Sequence, residues 1–191
     1  MPSKVDIVNE ALNMLGANTI TSLTETTKTA SLCNRFLDTE IDYLLRLHRW
    51  NSAVTDVAGL SNTGVTPTVG WLYEFLLPTD PYCLRVLRVE VDDVEVDFEV
   101  RGRNLYTDFS TGDLMYVSRV TDANKFDPLL YKVLVDLMAY RLAFPITRNR
   151  DLSNSMYQIY QQNLQDAMSV DSQERTPEQI ASDDLLDARV R

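Results

Sequence analysis

From Thr27 to His48 the apolar residues fall at Ala30, Cys33, Phe36, Leu37, Ile41, Leu44 and Leu47. That spacing lays one continuous stripe along a single α-helical face. A striped helix must bury its stripe, and three other segments offer partners. Ser3 to Leu15 carries Ile7, Val8, Ala11, Leu12 and Leu15, with Ser3 as N-cap, Asp6 in the first turn and Gly16 as a C-terminal stop. Asp127-Pro128 opens a third helix, with Pro128 at its first position, which runs through Leu130, Val133, Leu134, Leu137, Met138 and Leu142 to Phe144-Pro145. A fourth helix spans about residues 150–169, with Leu152, Met156, Ile159, Tyr160, Leu164 and Ala167.

Between the helical pairs the texture changes. Gly59, Gly64, Pro67 and Gly70 mark loops, and Val, Tyr, Phe and Thr become frequent. Strands are expected at 71–77, 83–91, 94–100, 104–107 and 114–120, with Asp92-Asp93 as a tight hairpin turn. Short turns between successive strands make an antiparallel meander or small sandwich. The expected fold is α+β: a bundle of about four helices (1–50 and 127–169), an inserted β-rich part (51–126) and an extended C-terminal arm (170–191).

The charge balance limits the possible partners. Eighteen Lys and Arg against 28 Asp and Glu leave a net −10, which argues against holding nucleic acid by phosphate neutralisation. It permits DNA to pass an acidic channel without sticking. Cys33 and Cys83 stand far apart outside any CxxC, so neither zinc nor a disulfide framework is expected, and a reducing compartment suits them. The opening residues hold no apolar run of signal-peptide length, and Lys132, Asp136 and Arg141 interrupt the most apolar stretch, 129–144. A soluble, unsecreted protein without a membrane span is expected.

Four features bear on chemistry. His48 is the only histidine, so a nucleophilic triad would have to run through it; with Arg46 and Arg49 it sits in a last helical turn, where cations offset the dipole and Trp50 folds onto the bundle. Gly59 and Gly64 have phosphate-loop spacing, but Val65-Thr66 follows where Lys and Ser/Thr belong. Asp93, Glu95, Asp97 and Glu99 alternate with apolar residues, which places four carboxylates on one strand face, either solvated or lining a channel. A carboxylate hydrolase is the catalytic alternative for that face. Ile180, Leu185 and Leu186, with Arg189 and Arg191 among acidic neighbours, suit either a frayed tail or an arm that orders on a partner. No cofactor is expected.

Across about 150 residues the order of motifs is similar to that of the head-to-tail adaptor family of short-tailed bacteriophages, the tail tubular protein A family. The resemblance rests on Leu15-Gly16 with Ile20, Ser22 and Leu23, and on Leu44, Leu45, His48, Trp50 and Ala53. It continues through Tyr73, Leu77, Pro78, Asp80, Leu84, Arg85 and Val86 to the stretch FDPLLYKVLVDLMAYRLAFPIT. It implies a virion structural protein with no catalytic task, assembled in the host cytoplasm as a twelve-subunit ring. Such a ring binds the portal on one side and a tail nozzle on the other, and double-stranded DNA passes through without specific binding. In that setting Gly16, His48, Trp50, Tyr73, Pro78, Arg85 and Pro128 are structural, and the arm reaches along the portal. A tail-associated cell-envelope hydrolase and a free dimeric binding module are the other readings.

Overall fold

The computed structural model describes residues 3–60 and 62–174. Helix α1 (Lys4–Met14) begins with a capping box: the Ser3 hydroxyl accepts from the Asp6 N–H while the Asp6 carboxylate accepts from the Ser3 N–H. It stops where Gly16 turns left-handed at φ 66°. Asn9 then pins the following loop, its amide donating to the Ile20 carbonyl and accepting the Ile20 N–H, both at 2.9 Å. Helix α2 (Lys28–Leu47) is capped by Thr27 and ends at His48. After a short 3-10 turn (Asn51–Ala53) the chain becomes β-rich and later returns to helix as α3 (Pro128–Thr147) and α4 (Arg150–Gln173).

Helix α3 is the centre of the bundle and packs against α1, α2 and α4. Val133 through Ala139 are all buried, so this helix is apolar nearly all round rather than striped. It runs past the end expected at Phe144-Pro145. A proline in the last turn removes only one donor, and Arg148, left-handed at φ 57°, closes the helix with its N–H on the Phe144 carbonyl. Helix α4 also overruns, to Gln173, so the arm drawn from residue 170 begins inside a helix.

The strands are β1 (Val54–Val57), β2 (Tyr73–Leu76), β3 (Cys83–Val91), β4 (Val94–Glu95), β5 (Glu99–Arg101), β6 (Asn104–Thr107) and β7 (Asp113–Ser118). They form two antiparallel sheets, β1-β7-β3-β4 and β2-β6-β5. Strand β1 has no counterpart in the expected set. The strand expected over 94–100 is divided: β4 closes the hairpin with β3, residues 96–98 cross over, and β5 joins the other sheet. The Asp92-Asp93 turn has the expected two residues, at φ 52° and 62°, the left-handed pair that a twisted hairpin needs.

Two cores result, and the four-stranded sheet serves both. Ile7, Leu12, Leu37, Leu44, Trp50, Leu134 and Leu142 centre the bundle core, and Leu84 and Val117 join it from β3 and β7. Phe75, Leu105, Cys83, Val89, Leu114 and Tyr116 fill the space between the sheets. Strand β3 manages this with two register shifts against β7, between Cys83 and Arg85 and between Val86 and Arg88. Each shift inserts one extra residue, a β-bulge that re-aims the strand. Cys83, Val86 and Val89 thereby pack into the sandwich while Leu84 and Leu87 pack into the bundle.

Candidate functional site

His48 is anchored at the end of α2. Its Nε2 lies 3.0 Å from Oδ2 of Asp171, near the end of α4, and its ring meets Trp50 edge-on, with centroids 4.9 Å apart. The second Asp171 oxygen accepts the Asn51 N–H at 2.9 Å, and the Asn51 amide donates to the Asp171 backbone carbonyl at 2.8 Å. Trp50 is wholly buried, its indole N–H on the Leu44 carbonyl at 2.8 Å. Asp171 thereby joins the end of α4 to the end of α2 and to the first residues of the insertion. Among the described residues the His48 ring bonds a carboxylate and no Ser or Cys, and that carboxylate is already divided between two donors.

The other expected structural residues lie at similar junctions. Pro128 follows the Asp127 cap, whose carboxylate accepts the Leu129 and Leu130 N–H groups. The Pro78 carbonyl accepts from the Cys83 N–H and from Arg103, and Tyr73 leans on the sandwich core. Gly59 and Gly64 are left-handed loop residues with no helix after them, so they make no phosphate loop.

The acidic row is not one face. Asp93 is in the hairpin turn, Glu95 is on β4, Asp97 is in the crossover, and Glu99 is on β5 of the second sheet. Alternation was a sound signal for a strand, but each half of the segment pairs with a different neighbour. Glu99 accepts from Arg101 and from the Trp71 indole N–H at 2.9 Å, and these bonds hold its carboxyl down at about 2. The arm residues Ile180, Leu185, Leu186, Arg189 and Arg191 lie outside the described residues.

Sequence reasoning missed a cleft of about 390 Å³ where the bundle meets both sheets. Arg46 reaches it from the end of α2, Arg85 from β3, Arg103 from the β5–β6 turn and Arg119 from just after β7. Arg103 and Arg119 both lie over the Tyr82 ring, at 4.0 and 4.5 Å from its centroid. Arg103 donates to the Leu77, Pro78 and Cys83 carbonyls, and Arg46 donates to the Leu84 carbonyl. Arg119 is paired to Asp42 through two hydrogen bonds. Leu77, Phe98 and Val100 give the cleft an apolar wall.

Cys33 and Cys83 are buried free thiols, and burial pushes both up to about 11. Among the described residues no three His, Cys, Asp or Glu side chains gather as a metal site, and no helix is long and apolar enough to cross a membrane. The fold and these sites define an α+β protein with a helical bundle joined to a two-sheet β part. No protein-family model matches the chain, and no curated protein matches it.

Proposed function

We propose that this chain is a virion structural protein: a head-to-tail adaptor that forms a ring between portal and tail nozzle and contributes to the channel through which DNA leaves. The observation that carries this reading is where the motif residues of the resemblance fall. Leu15, Ile20, Leu44, Leu45, Trp50, Ala53, Leu77 and Leu84 are all buried, and Gly16, His48, Pro78 and Pro128 sit at helix ends and sheet junctions. A shared order of such residues is what a shared architecture produces.

The surface suits an assembling subunit. Tyr43, Leu47, Phe144, Tyr157, Ile159 and Val170 are exposed on the bundle, and Val65, Val69, Leu72 and Leu76 are exposed on and before β2, an edge strand. In a ring the first group would meet neighbouring subunits, and the second would face the nozzle. The net −10 lets DNA slide past without adhering.

The hydrolase reading draws no support from the geometry. Glu99 is engaged by Arg101 and Trp71, and the four carboxylates are divided among a turn, a crossover and two sheets. One set of experiments separates the two readings. Mixed with the portal, the full chain should give rings in negative-stain images. A chain ending at Glu174, which keeps the Asp171 tie, should remain folded but sediment apart from the portal. Portal binding unchanged by that truncation removes the arm from the proposal. Clearing of host murein or capsule, lost in Asp97→Asn with Glu99→Gln, replaces the adaptor reading with the hydrolase.

A further inference from the structure

An acidic chain has gathered cationic side chains into one hollow and left most of their charge unanswered. Of the four arginines lining the cleft, Arg119 faces a carboxylate, Asp42. Arg46 and Arg103 donate to backbone carbonyls, which satisfies N–H groups but leaves the net charges in place. Arg85 has neither kind of partner among the described residues and is half-buried on β3. Burial, then the neighbouring Arg46 and Arg49, press its pKa down, the sign of a cation placed without an anion. Strand and helix ends hold these groups around an open volume, so an incoming anion finds them already arranged.

The complementary feature lies at the far end of the same strand. Asp92, Asp93, Val94 and Glu95 are all exposed at the β3–β4 hairpin tip, and Val94 is 63% exposed. None of the three carboxylates has a partner among the described residues. The left-handed turn fixes their display, so docking them orders little new chain. From Val86 to Asp92 the paired strand covers roughly 20 Å at about 3.3 Å per residue, which holds the turn away from the Arg85 of its own chain, although the Phe98 wall begins only three residues past Glu95.

We propose that the cleft receives the β3–β4 hairpin of a second copy of this chain, its carboxylates entering among Arg46, Arg85 and Arg103 and its Val94 meeting the wall of Phe98 and Val100. The contact joins two different surfaces, so its repetition closes a ring or extends a filament. It deepens the adaptor reading, on which ring closure depends; the contact itself does not depend on it.

The probe is a fluorescent cyclic peptide of residues 89–96, titrated with the full-length chain by anisotropy. It should bind, more weakly as salt rises. The same peptide carrying Asp93→Asn and Glu95→Gln should bind about tenfold more weakly or worse, as should the native peptide to an Arg85→Gln chain. The peptide substitutions leave the protein untouched, so that arm stands even if the Arg85 variant misfolds. No binding, equal binding of the carboxamide peptide, tighter binding of a peptide of residues 180–188, or displacement by inorganic phosphate as readily as by unlabelled hairpin each overturns the proposal. Hairpin binding without portal rings would sink the adaptor reading alone. Rings formed normally by a chain carrying Asp93→Asn and Glu95→Gln would sink this contact alone.

Discussion

The carboxylate of Asp171 serves two donors that sit more than a hundred residues earlier, the His48 ring and the Asn51 N–H. Removing it leaves a part-buried backbone donor unsatisfied, at a cost of about 1–3 kcal/mol. Asp171→Ala should therefore lower the urea midpoint by an amount of that order, with the slope unchanged. His48→Gln keeps a donor directed at the same oxygen and should cost less than half as much. Equal losses would mean that the imidazole matters for more than this bond. Glu99 offers a pH test. Its folded-state pKa is depressed, so its bonds to Arg101 and Trp71 hold above the ordinary carboxylate range and fail as pH falls through about 2. The Trp71 indole N–H resonance should shift with that midpoint, and Glu99→Gln should abolish the shift.

Helices and strands were legible to different degrees, for physical reasons. Ser3 and Asp127 cap where expected because capping is local chemistry, readable within four residues. Strand β1 escaped notice because Val-Thr-Asp-Val is short and its register, Val54 on Val117, is set by a partner sixty residues away. The division of 94–100 was hidden because alternation reads the same whichever sheet a strand joins. The cleft was illegible because its arginines come from positions 46, 85, 103 and 119 and meet only in the fold. Contacts between helices carry a prediction of their own. Buried Asp136 on α3 accepts from Asn163 on α4 at 2.6 Å, with Lys132 3.5 Å away. Asn163→Ala deprives a buried carboxylate of a donor and should cost about 2–4 kcal/mol by chemical denaturation. Replacing both partners, Asp136→Leu with Asn163→Leu, should recover most of that loss, because no polar atom is then stranded. Gly16→Ala should cost about 1 kcal/mol, since its left-handed φ penalises a side chain.

At the scale of the whole molecule, the two tryptophans report on different layers. Trp50 is buried in the bundle core, while Trp71 lies beside β2 and bonds Glu99 on β5. Variants carrying one tryptophan each, Trp71→Phe and Trp50→Phe, should unfold in heat with fluorescence transitions that coincide with loss of helical circular dichroism. An earlier Trp71 transition would show the outer sheet parting from the rest. Coincidence is expected because the central sheet gives side chains to both cores.

The sequence of β3 carries that arrangement in plain sight, as Cys-Leu-Arg, Val-Leu-Arg, Val: one side chain for the sandwich, one for the helices, then an arginine. Two bulges turn a rhythm of two into a rhythm of three. Residues 51–126 are for that reason no detachable module, though they form an insertion along the chain. Excised alone they would bare Leu84, Leu87 and Val117 to water, and the helices left behind would close over a hole where a floor had been. Whatever pull one storey receives, the other must share.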